Sequence, residues 1–253
     1  MMQKQDKIYI YGRHAVEEAL LNYPQAMDLV LSSHPMTSDL IALAKEYKIR
    51  LEKLNKDSMP RGVEKDAIHQ GYIGRISLEN LVKPYNEFIE NLPVTPDTAL
   101  VVFGEVQDPQ NVGAIIRSAA GFGISGVLIP EHNQAQINGT VVKVSAGMAF
   151  RVPLVRIGNV NATLKDLKER GFWIYGLDGE AKQSLSTEKF EAASVIVLGN
   201  ENLGIREKTL ENCDIPLAIP MNKNCESLNV AASGAVALYA WSIKHPKALK
   251  GKK

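Results

Sequence analysis

The sequence predicts an α/β protein with a mostly parallel sheet in its C-terminal part and a small α/β unit in front of it. Three observations carry this. Five short, continuous apolar runs after residue 98 read as strands buried on both faces. Stretches of helical period lie between those runs, the alternation that parallel sheets require. A polar stretch punctuated by Pro84, Pro93 and Pro96 sets this part off from the first 82 residues.

The chain has 253 residues, 45% of them apolar and 23% charged, enough for one large or two modest domains around a sizeable core. A formal net charge of +1 neither announces nor excludes a nucleic-acid partner, because a local basic patch suffices. Cys213 and Cys225 have no CxxC partner, and no histidine lies at zinc-ligand spacing from them. No metal is expected, and a reduced, cytoplasmic setting is the default. No signal-like or membrane-length apolar run is present in the sequence, so no membrane association is expected. The tail from Lys244 to Lys253 holds five lysines and reads as a solvated, frayed terminus before it reads as a phosphate contact.

Residues 1–82 are expected to fold as one unit. Ala15, Val16, Ala19 and Leu20 have helical spacing, and Ser38 suits the cap of a helix through Tyr47. Asp28 to Ser32, Ile49 to Leu54 and Gly71 to Ile76 read as strands. Eleven acids balance eleven bases in this segment, so any substrate contact must be local. Arg13, His14, Arg61, Lys65 and His69 are the candidates, each also readable as an ordinary surface residue. Residues 83–97 read as a linker with a helical turn over Glu87 to Leu92.

Residues 98–253 form the second domain. Its strands are expected at Ala99 to Phe103, Val127 to Ile129, Phe172 to Gly176, Val195 to Leu198 and Ile215 to Ile219. Its helices are expected at Val112 to Gly121, Asn161 to Arg170, Ile205 to Leu210 and from Leu228 to Trp241, the last as a buried helix. Gly121-Phe122-Gly123-Ile124-Ser125-Gly126 matches GxGxxG, but it follows a helix and opens a strand. A dinucleotide fingerprint needs the reverse, so these glycines mark a helix C-cap and a tight turn.

Three strands end in polar clusters. The first runs from Gly104 to Ala119. Asn111 falls in its turn or at the helix cap, with Arg117 one or two turns further on. An arginine on an apolar helical face either meets an anion or forms an internal salt bridge, with Glu105 or Glu201 as the acids at hand. The second is Leu198-Gly199-Asn200-Glu201-Asn202-Leu203-Gly204, where Gly199 permits close backbone approach to a ligand. The third is Ile219-Pro220-Met221 followed by Ser227-Leu228-Asn229, at the start of the last helix.

In this order and at these positions, the three clusters resemble the signature motifs of the SpoU/TrmH branch of the SPOUT RNA methyltransferases. The carrying residues are Asp108-Pro109-x-Asn111-x-Gly113-x-x-x-Arg117-Ser118-Ala119, Leu198-Gly199-Asn200-Glu201-x-x-Gly204, and Ile219-Pro220-Met221 with Ser227-Leu228-Asn229-Val230-Ala231. Tyr11-Gly12-Arg13-His14-Ala15-Val16 and His69-Gln70-Gly71 look like the small substrate-binding domain that many members carry.

The resemblance implies 2′-O-methylation of a ribose in structured RNA, with S-adenosyl-L-methionine as methyl donor. It implies a deep trefoil knot in the C-terminal domain, an L30e-like N-terminal domain and a homodimer. The two-domain layout is most similar to bacterial enzymes that methylate a guanosine of large-subunit rRNA. Arg117, Asn111, Glu201, Ser227 and Asn229 are then the expected catalytic residues, with Glu201 holding Arg117 or a cofactor-side group. Leu198, Gly199, Ile219, Met221 and Leu228 would line the cofactor site, and Arg13, His14, Lys65 and His69 would touch RNA. A tRNA ribose methyltransferase, a resistance rRNA methyltransferase and a non-catalytic ribosome-assembly factor are the competing readings.

Overall fold

Two sheets order the chain in the computed structural model, which describes residues 7–55, 59–60, 63, 68–79 and 81–250. The first contains β1 (Lys7–Tyr11), β2 (Met27–Ser32), β3 (Arg50–Lys53) and β4 (Tyr72–Ser77), in the order β1-β4-β2-β3. β4 runs antiparallel to β1 and β2, and β3 runs parallel to β2. Helices α1 (Arg13–Asn22) and α2 (Ser38–Glu46) belong to this unit. α1 buries Ala15, Val16, Ala19 and Leu20, the positions its spacing predicts.

The second sheet begins inside the expected linker. β5 (Val82–Pro84) pairs with a later strand, and α3 (Tyr85–Glu90) buries Phe88 and Ile89. The start of 83–97 is therefore packed chain rather than free linker, because those two apolar side chains have a core to enter. There follow β6 (Ala99–Phe103), α4 (Pro109–Gly121), β7 (Gly126–Pro130), α5 (Gly139–Val144), β8 (Leu154–Ile157), α6 (Val160–Glu169), β9 (Trp173–Leu177), β10 (Gln183–Ser184), β11 (Ser194–Leu198), α7 (Glu207–Leu210), β12 (Ile215–Ala218) and α8 (Val230–Ser242). The order is β10-β12-β9-β11-β6-β7-β8-β5 and every pairing is parallel.

β6 and β11 are buried along their whole length. Alternation sends Val101 and Phe103 into one core with Ile115 of α4, Val141 of α5 and Leu238 of α8. It sends Leu100 and Val102 into the other with Leu164 and Leu167 of α6. Helices thus cover both faces, as a parallel sheet requires.

The first core continues into the N-terminal unit, through Ile8, Ile10, Val16 and Leu20. At the seam Arg151 donates two hydrogen bonds to Glu18 (2.7 and 3.0 Å), and the Tyr11 hydroxyl meets Thr140 Oγ1 at 3.2 Å. Gly139 lets the backbones touch, since a Cβ there would lie 2.4 Å from the Tyr9 carbonyl oxygen.

Two expectations change. α8 is not buried all round, because Val236, Tyr239 and Ile243 are 40–54% exposed. The lysine-rich tail is pinned at two points, since His245 is buried and the Ala248 carbonyl leaves no room for a side chain at Gly123, while Lys247 stays 81% exposed. Gly123, at φ +73°, is part of the GxGxxG run, which closes α4 and opens β7 as a turn. Among the described residues no helix is long and apolar enough to cross a membrane.

A candidate active site at three strand ends

Loops leaving β6 and β11 are stitched together at once. The Gly104 amide donates to the Leu198 carbonyl at 2.6 Å, and the Asn200 side-chain amide donates to the Glu105 carbonyl at 2.9 Å. Asn200 also closes its own loop, pairing backbone groups with Gly204 and accepting from the amides of Asn202 and Leu203. Gly199 cannot carry a side chain, for a Cβ would lie 2.2 Å from the Gly204 carbonyl carbon. Asp108 then caps α4 by accepting from the Gln110 amide at 2.8 Å, with Pro109 in the first turn. That cap places Asn111 one turn inside α4, 7% exposed.

Glu201 reaches across to this cap. Its carboxylate accepts from the amides of Gln107 (3.1 Å) and Asp108 (2.9 Å) and from Asn111 Nδ2 (3.1 Å). Partial burial opposes its charge, but the Asp108 amide, the Asn111 side chain and further backbone donors outweigh burial and hold its pKa below the ordinary glutamate value. Asn111 in turn accepts at Oδ1 from Asn229 Nδ2 at 2.9 Å. Asn229 caps α8, its Oδ1 accepting from the amides of Ala231 (2.8 Å) and Ala232 (3.3 Å). Both amide orientations are forced. A carboxylate only accepts and the α8 amides only donate, so Asn111 and Asn229 have one consistent arrangement between them.

Behind this chain of polar groups lies a cavity of about 250 Å³. Leu198, Gly199, Ile219, Met221 and Leu228, the expected cofactor residues, all line it, and so does Ser227. Leu177, Leu217 and Val230 add apolar wall, while Asp178, Glu201 and Glu226 add carboxylates. An apolar slot rimmed by acids suits an adenosine moiety carrying a cationic sulfonium and ammonium.

Arg117 departs from expectation. It is exposed, and its side chain makes no hydrogen bond or ion pair with any described residue. Glu105 is taken instead by Arg206 at 2.7 Å, and Glu201 by amides, so neither acid forms the anticipated salt bridge. Helical geometry explains this. Six residues rotate a side chain roughly 240° about the axis, which turns Arg117 away from Asn111 and from the cavity.

In the N-terminal unit, Arg13 and His14 are exposed at the start of α1, and Arg13 pairs with Glu17 at 2.7 Å. The Arg13 amide donates to Gln70 Oε1, which brings this end of α1 to the turn where His69 Nδ1 accepts from the Gly71 amide. Arg61 and Lys65 lie outside the described residues. Asn200 and Arg206 are working residues that the motifs alone do not single out. For Asn200 the signal is the glycine on either side of its loop, which forces a tight turn whose polar groups must be satisfied locally; Arg206 carries no such signal.

Two family models match the chain: "SpoU rRNA Methylase family" over residues 98–239 and "RNA 2′-O ribose methyltransferase substrate binding" over residues 9–81. A 23S rRNA (guanosine-2′-O-)-methyltransferase RlmB of Xanthomonas campestris is 36% identical over 243 residues, covering 94% of this chain and 96% of that one. Its namesake from Pseudomonas putida is 34% identical over 236 residues, covering 91% and 94%. Among solved structures, the SpoU methyltransferase AviRb from Streptomyces viridochromogenes in complex with AdoMet superposes with a TM-score of 0.78 at 18% identity, covering 96% of this chain and 92% of that one. The chain belongs to the SpoU rRNA methylase family.

Proposed function

We propose that this protein transfers a methyl group from S-adenosylmethionine to the ribose 2′-oxygen of a guanosine in 23S rRNA. The observation that carries the reading is the Glu201–Asn111–Asn229 relay, built from the three strand ends of a SpoU chain, whose Glu201 lines a cofactor-sized cavity. The full-length 23S rRNA (guanosine-2′-O-)-methyltransferases it resembles, aligned over nine-tenths of the chain, supply the substrate.

Adenosylmethionine, when bound, supplies an electrophilic methyl on a cationic sulfonium. Leu198, Ile219, Met221 and Leu228 bind the adenosine side of it, and Gly199 allows the backbone to approach. Asn111, locked by Glu201 and Asn229, orients the ribose, and Ser227 positions the loop above it. Arg117 holds a substrate phosphate and stabilises the alkoxide that develops on the 2′-oxygen. A guanidinium offers donors and no acceptor, which makes Arg117 a clamp rather than the base.

The finer architecture follows the family. Residues 1–82 form the RNA-binding domain with an L30e-like fold, 83–97 join it to the catalytic domain, and 98–253 contain a trefoil knot. The return of β12 to β9, after β11 has been laid between β9 and β6, supports that threading. A homodimer is supported by the exposed apolar stripe on α8 and by Arg117 facing away from its own cavity, as a cleft shared between subunits requires. The enzyme acts in the cytoplasm, without a metal. Incubating it with labelled adenosylmethionine and purified rRNA and tRNA, then mapping the modified ribose, tests the proposal. Transfer to tRNA alone, or to no RNA, overturns it.

A further inference from the structure

One residue of the first polar cluster holds a backbone conformation that its side chain disfavours. Glu105 has φ +70°, in the left-handed region where glycine is the ordinary occupant. Gly104, beside it, is not the left-handed residue; its missing Cβ instead clears the Leu198 carbonyl oxygen, which would lie 3.1 Å away. The chain therefore turns at a residue that carries a carboxylate, and three contacts with the loop after β11 hold it there. The Glu105 carbonyl accepts from Asn200 Nδ2 at 2.9 Å, and its Oε2 accepts from Arg206 Nε at 2.8 Å and pairs with Arg206 Nη2 at 2.7 Å. Backbone of this kind persists only where its neighbours over-determine it, and it gathers at active sites.

The turn has its consequence two residues later. Val106 is fully buried, and its carbonyl accepts from the Ala135 amide at 3.0 Å. With Glu105 and Val106 both fixed, the next two amides, of Gln107 and Asp108, are delivered to Glu201. The acceptor is held from the other side. Arg206 follows the loop that carries Glu201 and that Asn200 and Gly204 close, and the Arg206 carbonyl accepts from the amides of Thr209 (2.8 Å) and Leu210 (2.9 Å) at the start of α7. Glu105 thus precedes the two donors, Arg206 follows the acceptor, and the bond between them sets how far apart the two loops stand. Neither residue lines the cofactor cavity. The Arg206 side chain is 61% exposed, so the ion pair contributes little to stability for its own sake.

We infer that the Glu105–Arg206 pair is a positioning element for methyl transfer: it holds the Gln107 and Asp108 amides on Glu201 and, through Glu201, fixes the orientation of Asn111. The inference rests on the reading of this protein as an RNA ribose methyltransferase in which Asn111 orients the ribose. The pair acts through the carboxylate cradle and not on the reacting atoms.

Glu105→Gly is the first variant of the test. Glycine takes a φ of +70° without strain, so the fold is retained while Arg206 loses its acceptor. Methyl transfer, measured in a single turnover at saturating adenosylmethionine and 23S rRNA fragment, should slow about tenfold, with both Kd values within about twofold of wild type. Arg206→Ala should slow it to the same degree, and the double variant no further, because the same bond is lost in all three. Glu105→Gln keeps an oxygen for the Arg206 fork and should recover most of the rate. Amide hydrogen exchange at Gln107 and Asp108 should quicken in Glu105→Gly and in Arg206→Ala, and not along β6. A single-turnover rate within about twofold of wild type in Glu105→Gly overturns the inference, and so do losses that multiply in the double variant. A raised RNA Kd in Arg206→Ala alone assigns Arg206 to a phosphate contact and also overturns it. If the wild type methylated no RNA, the functional reading would fail, whereas the pair would still be judged by exchange: unchanged rates at Gln107 and Asp108 in both variants overturn its hold on the cradle.

Discussion

Asn229 donates its side-chain amide to Asn111 Oδ1 at 2.9 Å, across 118 positions of sequence. This bond joins the first and third polar clusters, and the Asn111–Glu201 bond joins the first and second. Asn111 is therefore the hinge pin of the site, fixed from both sides and nearly buried. Asn111→Ala removes both bonds without touching the cavity wall. Turnover should fall by roughly two or more powers of ten, as misplacement of a nucleophile predicts, with the KM for adenosylmethionine little changed. Steady-state kinetics against both substrates decide this, and a change in cofactor KM alone would remove Asn111 from the positioning role.

Arg117 tests the other half of the mechanism. It has no partner among the described residues, so its removal frees no buried acid and leaves no cavity. Arg117→Ala should abolish methyl transfer while thermal stability, adenosylmethionine affinity and oligomeric state stay as they are. Measurable turnover near the wild-type rate would end its assignment as the phosphate and alkoxide clamp.

The meeting of these clusters was legible in the sequence only in part. Continuous apolar runs give five of the six interior strands of the second sheet and miss β8, where Arg156 breaks the run Leu154-Val155-Arg156-Ile157. β1 was missed because its inward positions, Ile8 and Ile10, alternate with Lys7, Tyr9 and Tyr11 in a pattern that reads as mixed polarity. Each polar cluster was visible as a strand end feeding a helix. What spacing along one chain cannot give is the partner of each side chain. Arg117 and Glu201 looked like a pair by charge, yet backbone amides claim Glu201, and helix rotation carries Arg117 elsewhere. Backbone donors have no sequence signature, so the carboxylate cradle is visible only in the folded chain.

Glu201 gives a pH-dependent prediction. Its folded-state pKa lies below the ordinary value, with burial overridden by the Asp108 amide and other donors. A depressed carboxylate contributes stability that is present above the unfolded-state pKa and lost as pH falls through the folded-state value. Glu201→Gln keeps one acceptor oxygen for several donors, so at least one amide goes unsatisfied at a cost of about 1–3 kcal/mol. Its Tm should be lower than wild type at pH 7, and the gap should narrow in acid as wild-type Glu201 itself becomes protonated. Calorimetry across that range checks it, and a gap that stays constant into acid would show that the charge of Glu201 is not what the cradle stabilises.

The seam between the two sheets should respond to Gly139. A methyl group there meets the Tyr9 carbonyl at 2.4 Å and the Tyr11 ring at 2.8 Å, and neither a strand backbone nor a ring edge can give way by that much. Gly139→Ala should push β1 off α5, breaking the Tyr11–Thr140 contact and loosening the Glu18–Arg151 pair. Hydrogen exchange should rise in 7–22 while 98–130 stay protected, and RNA affinity should fall with adenosylmethionine affinity preserved. Equal protection of both segments in the variant would mean that the seam is softer than its packing suggests.

The exposed side of α8 sets the last prediction. Val236, Tyr239 and Ile243 are spaced by three and four residues, so they form one stripe on the helix. The Tyr239 ring packs near Phe122 at 5.8 Å, which extends the apolar surface onto the end of α4. An apolar stripe on a helix with no charged residue along its length is a surface that association would bury. If it is the dimer face, Ile243→Glu places a charge against its symmetry mate, where an unpaired desolvated carboxylate is strongly unfavourable. Sedimentation should show the variant shifting to monomer at micromolar concentration, with its folding intact because Ile243 is 53% exposed in the single chain. Since Arg117 turns away from its own cavity, methyl transfer should fall in step with the loss of dimer. A monomer with undiminished turnover would place the complete active site within one chain.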